Sequence, residues 1–488
     1  MPKKSKKLNK LDQIYQWFII ALPPVLYFSF HPFMRLGAND SMYFELSLPL
    51  LWLAAFDLFS LAPLFKQKAW RHLKTLKFWL FFPIWCTITL IWTLNFTRGF
   101  LTVGVLGALY FAIFSMYCQK SLITAVKDKI LKSFLISTAL VCAWCFIQCI
   151  LDIANVPRDF TLLCEGCTYK MFGFPHPNGF AFEPQFMGNL LLAPTLLLSW
   201  KMTKHGHKWD VTALLLFTVT LFFTFSRGAI YAFSVAIVFL ITFELIKQKS
   251  AKPLKLLIPI IFSFLLALNF QGIFAALSPT TDTYVDGVTK SLNHLSLGII
   301  DLRPHEEAVV EHEGASDPSR ERIDKSSAVT PMFNGYVAES TNTRTRLTSA
   351  ALKIWTENFT NFRYGVGIGA AGQALYNHGD SPAPREIVQN QYASLLLETG
   401  LLGTALALFS LGLVIRVIIK LKNESVPFLL ALILAYAVTL FFFNGLPNAL
   451  HIYLLPALFI YLLPLPQLHR PKQNRPSSRH PWRQYQNH

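Results

Sequence analysis

Four short stretches of the chain combine residue types that could do chemistry. Phe225-Ser226-Arg227-Gly228-Ala229 places a guanidinium between two apolar runs with almost no loop around it. A charge at such a boundary is costly without a partner. It is therefore either a side chain snorkelling to headgroups or a clamp for an anion, since a guanidinium grips phosphate oxygens two at a time. Leu94-Asn95-Phe96-Thr97-Arg98-Gly99 repeats the arrangement in a second tight turn. In the loop from Gly173 to Phe186, which also carries His176, Glu183 stands just before Pro184, a residue suited to the first position of a helix. Its carboxylate could answer the helix dipole. It could equally act as a general base, with desolvation raising its pKa towards the working range. The fourth stretch runs from Gln389-Asn390 to Gly400-Leu-Leu-Gly403, whose small residues permit close helix contact.

The elements that must position these groups follow from composition. Of 488 residues, 53% are hydrophobic and only 15% are charged, against about 25% charged in ordinary soluble domains. Apolar runs lie near 14–30, 43–65, 78–95, 100–118, 133–152, 183–200, 211–225, 228–246, 256–276, 390–415, 426–443 and 449–463. Most are long enough to cross a bilayer as helices. The expected fold is an all-α polytopic membrane protein of about twelve transmembrane helices with one long, partly helical extracytoplasmic loop. Lys and Arg concentrate in alternate connections, so the positive-inside rule puts both termini in the cytoplasm. The basic N-terminus followed by an apolar run reads as an uncleaved first helix. The net charge of +17 is thereby an orientation signal and an attraction to membrane lipids, not a footprint for nucleic acid.

The expected organisation is nine helices over 1–276, an extracytoplasmic loop over 277–389, three helices over 390–463 and a basic cytoplasmic tail over 464–488. Within the loop, 303–340 is polar and nearly free of aromatic residues, which points to a flexible segment. The part from 341 to 389 is expected to be helical. Ser340, Thr341 and Asn342 offer N-caps for a helix near 343–358 with Leu347, Ala351 and Ile354 on one face. A glycine turn, Gly365-Val-Gly367-Ile-Gly369, then precedes a second short helix. Lys predominates over Arg on the cytoplasmic side and Arg over Lys on the outer side, a bias that headgroup anchoring does not require. Asp57, in mid-helix, is an intramembrane acid that could serve function or pair with a helix-end Arg. Cys164 and Cys167 form a C-x-x-C on the oxidising side and could close a small disulfide. Cys86, Cys118, Cys142, Cys145 and Cys149 sit in apolar runs and read as small core residues.

These pieces, in this order, resemble the O-antigen ligase/O-antigen polymerase superfamily of Wzy/WaaL-type membrane glycosyltransferases, over roughly residues 90–405. Asn390 with Gly400 and Gly403 keeps the spacing of the ligase loop motif. The Ser226-Arg227-Gly228 turn and the stretch from Arg346 to the glycine turn look like the domain's other marks. Glu183-Pro184 looks like an element common among polymerase-type members. The family's loop His is Gln389 here, and Gln cannot take a proton at neutral pH.

The resemblance implies a metal-independent inverting transfer, without cofactor, from an undecaprenyl-pyrophosphate-linked glycan to a glycan or lipid acceptor at the outer face of the cytoplasmic membrane. Catalysis is expected from Glu183, with Gln389 orienting the acceptor and His378 as a further candidate base. Arg227, followed by Arg346, Arg344 and Arg98, is expected to hold the pyrophosphate. Asn390, Gly400, Gly403 and His176 are expected to position the acceptor. Because of Gln389, polymerisation of repeat units is favoured over ligation to lipid A-core or protein. A chain-length regulator is a further candidate partner. An anionic-substrate transporter or flippase is the rival from another class, but the chain shows no inverted repeat.

Overall fold

The computed structural model describes residues 9–36, 44–66, 69, 77–296, 333–384, 386–421, 423–445 and 449–463. The chain opens with α1 (Lys10–Tyr27), a two-stranded antiparallel sheet of β1 (Phe33–Leu36) and β2 (Phe44–Ser47), α2 (Leu48–Lys66), α3 (Phe81–Thr89), α4 (Phe96–Cys118), the short α5 (Lys120–Ala125) and α6 (Lys127–Ile153). Two one-turn helices, α7 (Arg158–Thr161) and α8 (Tyr169–Phe172), lead into α9 (Pro184–His205), α10 (Lys208–Phe223), α11 (Arg227–Gln248) and α12 (Leu257–Leu277). Then come α13 (Tyr284–Leu295), α14 (Phe333–Thr356), α15 (Phe359–Tyr364) and α16 (Ala371–Asn377), and finally α17 (Gln391–Lys420), α18 (Val426–Thr439) and α19 (His451–Leu462).

Every one of the twelve apolar runs therefore holds a helix. Six of the described helices are long and apolar enough to cross a membrane: Leu48–Phe65, Phe96–Cys118, Lys127–Ile153, Arg227–Gln248, Lys252–Leu277 and Gln391–Lys420. The other runs form helices that fall short in length or hydropathy, with Val426–Thr439 and His451–Leu462 among the shorter apolar ones. The all-α membrane architecture is thus present, while a count of twelve spans goes beyond what the helix lengths show.

The expected boundaries move in three places. The run at 78–95 yields only nine residues of α-helix, Phe81–Thr89, before the chain turns towards Asn95, which caps α4 by accepting from the Arg98 N–H (3.1 Å). The run at 43–65 begins as a strand, because Phe44-Glu45-Leu46-Ser47 alternates apolar and polar residues with the period of two that suits β pairing. Helix α14 starts at Phe333, ahead of the expected caps Ser340, Thr341 and Asn342. Ser, Thr and Asn each lower helix propensity by only a few tenths of a kcal/mol, roughly, too little to end a helix. The last eight residues of the segment expected to be flexible are helical as a result, and 303–332 lies outside the described residues.

Two of the apolar clusters that result frame the candidate sites. The larger joins Ile19, Phe56, Leu109, Phe134, Leu191, Phe217, Phe233, Leu432 and Phe459 from nine helices. The smaller is extramembrane in the sequence reading. There Leu347, Ala351 and Ile354 of α14, one face as expected and each at most 4% exposed, pack on Val366, Ala370, Leu375 and Leu397.

Candidate functional site

The first constellation gathers where the N-termini of α9 and α11 meet. Phe225 adopts a positive φ of 50°, which turns the chain sharply enough for Ser226 to cap α11 through its side-chain oxygen. Arg227 then stands at the first helical position, half-buried. Gly188 of α9 lies against this turn so closely that a Cβ there would sit 2.7 Å from that of Ala229. One turn earlier, Gln185 passes Gly228 and donates to the Phe442 carbonyl (2.8 Å). Glu183 is the N-cap residue of α9 in extended backbone, yet its side chain makes no capping bond. The dipole-capping role is thus not what holds this carboxylate. Burial pushes it above the usual carboxylate range, opposed by the Arg344 guanidinium of α14. The charge of Arg344 thus reaches Glu183 although 160 residues separate the two in the chain.

Helix α13 supplies a residue that the sequence reading passed over, His294. Its Nε2 lies 3.2 Å from the Phe225 carbonyl. A carbonyl can only accept, so Nε2 carries the proton and Nδ1 keeps its lone pair. That Nδ1 is buried with no hydrogen-bond partner among the described residues. Burial holds the ring pKa down to about 4, and Arg227 and Arg344 both push the same way, against the Phe225 bond. Beside it, His176 stacks on Phe172 and Phe174 with centroids 4.5 and 5.1 Å away, and its ring centre is 5.9 Å from that of His294. Burial also lowers the His176 pKa well below the usual range, and its Nε2 is likewise without a partner among the described residues.

The loop that presents His176 and Glu183 is fixed at several points. Cys164 and Cys167, whose pairing the sequence left open, form a disulfide, and the Cys167 carbonyl accepts from the His176 N–H (2.8 Å). Gln148 of α6 clamps Gly179 from both sides, donating to its carbonyl (2.9 Å) and accepting from its N–H (2.8 Å).

Arg98 belongs to a second constellation. Its charge acts on Glu398 of α17, whose Oε1 accepts from the Ala371 N–H (3.1 Å) and whose main-chain oxygen accepts from Gly367 (2.9 Å). The glycine turn wraps this carboxylate: Gly365, Gly367 and Gly369 all have positive φ, and a Cβ at Gly365 would lie 2.5 Å from the Glu398 carbonyl oxygen. Gly400 also has a positive φ (67°) and breaks α17 into two segments, with its α-carbon against the Arg363 carbonyl. Gly403 packs on Thr399 and Trp85. Gly400 thus serves a close backbone crossing, and Gly403 leaves room for the side chains of Thr399 and Trp85.

The remaining expected residues divide. Asn390 caps α17, its carboxamide oxygen accepting from Tyr392 (3.0 Å) and Ala393 (3.1 Å), so that oxygen is committed to the helix. Gln389 keeps a buried Oε1 with no partner among the described residues. The segment after α18 links it to the first constellation, since Leu440 accepts from the Gln391 N–H (2.9 Å) while Phe442 accepts from Gln185. Arg346 is exposed and donates to the Asp380 carbonyl (3.1 Å), and the exposed His378 pairs with the Asp380 carboxylate (2.8 Å). These two therefore meet each other's loop and not Glu183. Asp57 has a buried Oδ1 without a partner among the described residues. No group of three or more metal-ligating side chains occurs among the described residues.

A signal for His294 did exist. Thr283 and Asp286 form a capping box, and Gly287, Ser291 and His294 follow at helical spacing on one buried face. Residues 212–408 match a family model described as O-antigen ligase. The match takes in Arg227, His294, Arg344, Gln389 and Glu398 and leaves Glu183, His176 and Arg98 outside it. No curated protein matches the chain.

Proposed function

We propose that the chain, whose residues 212–408 match a family model described as O-antigen ligase, is a member of the O-antigen ligase/O-antigen polymerase superfamily that transfers a glycan from a lipid-linked pyrophosphate donor to a glycan acceptor at the outer face of the cytoplasmic membrane, joining polysaccharide repeat units. The observation that carries the reading is that groups from distant parts of the chain act on one neighbourhood, Arg344 on Glu183 and both Arg227 and Arg344 on His294.

In the proposed step the acceptor hydroxyl attacks the anomeric carbon from the face opposite the pyrophosphate. Its oxygen forms the new glycosidic bond as the bond to the pyrophosphate oxygen breaks, and the configuration inverts. Glu183 takes the hydroxyl proton, a role favoured by the raised pKa of its carboxyl. The electron pair leaves on the pyrophosphate, where Arg227 and Arg344 meet the growing charge. One well-placed donor of this kind contributes about 3–4 kcal/mol to the transition state. Gln389, with its open Oε1, accepts from an acceptor hydroxyl and orients it. Arg98 takes no part, because its charge answers Glu398 within the glycine turn.

The description of the matching family favours a second reading, ligation to a lipid A-type acceptor. Purified protein in liposomes with a lipid-pyrophosphate-linked repeat unit as the only glycan separates the two. A ladder of multiples is the expected product. Transfer that starts only when a lipid A-type acceptor is added would establish ligation instead, and no transfer under either condition would refute the proposal.

A further inference from the structure

A cavity of about 760 Å³ opens between the end of α14, the short helices α15 and α16, and the turn after α3. It is apart from the Glu183 constellation. Ile354 lies on its wall, ten residues along α14 from Arg344, which is about 15 Å of helix. Its size falls within the roughly 300–1,000 Å³ of small-molecule sites. Three rings dominate one side: Trp85 and Trp92 with centroids 5.9 Å apart, and Tyr364 within 6.4 Å of both. The two indoles are tied by their edges, Trp85 donating to the Thr399 carbonyl (3.0 Å) and Trp92 to the Gly365 carbonyl (3.2 Å). With the N–H edges engaged, what the indoles can offer a ligand is their faces. Glu357, Asn377 and His378 line the same cavity, adding a carboxylate, an amide and an imidazole.

Fixed aromatic faces beside hydroxyl-bonding groups match the two sides of a sugar ring, which presents an apolar C–H face and a polar rim. An isoprenoid tail would use the rings alone, whereas a sugar would also reach the exposed Glu357 carboxylate and the Asn377 amide, whose oxygen accepts from Gln373 (2.8 Å) and whose NH2 can still donate. We infer that this cavity binds a saccharide unit of the growing chain, several sugars away from the bond being made. The choice of a saccharide rests on the proposed function, and the 15 Å separation, roughly, is one that an oligosaccharide spans and a monosaccharide does not. The subsite lets the enzyme hold its polymer between transfers and select substrates by length.

The test is isothermal titration of the full-length protein in detergent with the free repeat-unit oligosaccharide, released by mild acid from the lipid-linked pool so that it carries neither lipid nor phosphate. Saturable binding is expected, weakened at least tenfold by Tyr364→Ala, whose ring is 39% exposed, and also by Asn377→Ala. The second variant covers the case in which the first fails to fold. No binding at millimolar sugar would overturn the inference, as would binding that neither variant changes. Saturable binding of farnesol that both variants abolish, without binding of the sugar, would reassign the cavity to lipid and sink it as well. Because the probe lacks pyrophosphate, binding without transfer in liposomes would fault the proposed function alone, and transfer without binding would fault the subsite alone.

Discussion

Arg98 and Arg227 look alike in the sequence, each in a tight turn that opens a long apolar helix, yet they sit in different surroundings. Arg98 acts on a glutamate whose oxygens are already engaged by the backbone N–H groups of the glycine turn. Every contact there joins protein to protein, and the glycines let three chain segments cross at backbone distance. Arg227 instead bears on an imidazole, that of His294. A second guanidinium, Arg344, bears on the same imidazole, and the carboxylate facing Arg344 makes no capping bond. Among the described residues, His176 Nε2, His294 Nδ1 and Gln389 Oε1 are buried without a hydrogen-bond partner. Buried polar groups are normally satisfied within the fold, so the open nitrogens of His176 and His294, whose ring centres are 5.9 Å apart, are where a partner from outside the chain would be accommodated, near enough to Arg227 and Arg344 for their charges to act on His294. Under the proposed function the contrast is between an arginine that serves the fold and one that serves the transfer.

The comparison can be broken most severely at Glu183. Glu183→Gln should cut transfer by about 10²–10⁴-fold if the carboxylate takes the acceptor proton, with little change in melting temperature because no capping bond is lost. Wild-type turnover should rise with pH through an apparent pKa above the usual carboxylate range, and the variant should lose that rise. A variant whose turnover matches the wild type would move the base elsewhere.

A second effect belongs to stability. His294 is neutral in the fold and its pKa is about 4 against 6.5 in a model peptide. The unfolded chain therefore takes up a proton at a higher pH than the folded one. Its contribution is fully present above pH 6.5 and is lost as the pH falls towards 4, by up to ~3 kcal/mol. Melting in detergent across that window, with His294→Gln as the control, should show a slope that the variant flattens. Equal slopes would mean that the ring is hydrated and not buried.

The smallest effect is expected at Glu398. Glu398→Gln keeps the shape but removes the charge that receives the Ala371 N–H and faces Arg98. Stability should fall by about 1.5–3 kcal/mol, and transfer per folded molecule should hold within about threefold. A loss of transfer far beyond the loss of folded protein would place this second constellation in the chemistry.

Many of the individual pieces could be read from residue order alone, and the reasons are local. Pro184 after Glu183, the loop-free turn at Arg227 and the face formed by Leu347, Ala351 and Ile354 are signals within a few residues. Asn390 was open to two readings: Asn before a helix is a strong N-cap, and the resemblance drew attention to its side chain as a binding group instead. The kink at Gly400 was hidden because Gly400-x-x-Gly403 in an apolar run reads as helix packing, while the positive φ arises from the crossing with Arg363. His294 carried its signal in a capping box and a buried face, but no pattern in sequence says which partner that face meets. The pairing of Glu183 with Arg344, and of Arg98 with Glu398, is tertiary throughout, and similar turns gave no basis for telling the two arginines apart.

The most direct test places Arg227→Ala and Arg98→Ala side by side in the same liposomes, with transfer normalised to folded protein. Arg227→Ala should lose about 10²–10³ in turnover while its melting temperature stays within a few degrees of the wild type, about the shift that 1 kcal/mol produces in a large domain. Arg98→Ala should lose stability and retain turnover per folded molecule within about threefold. Equal losses of turnover in the two variants, or a greater loss in Arg98→Ala, would contradict the assignment of the working site to Glu183, Arg227 and Arg344.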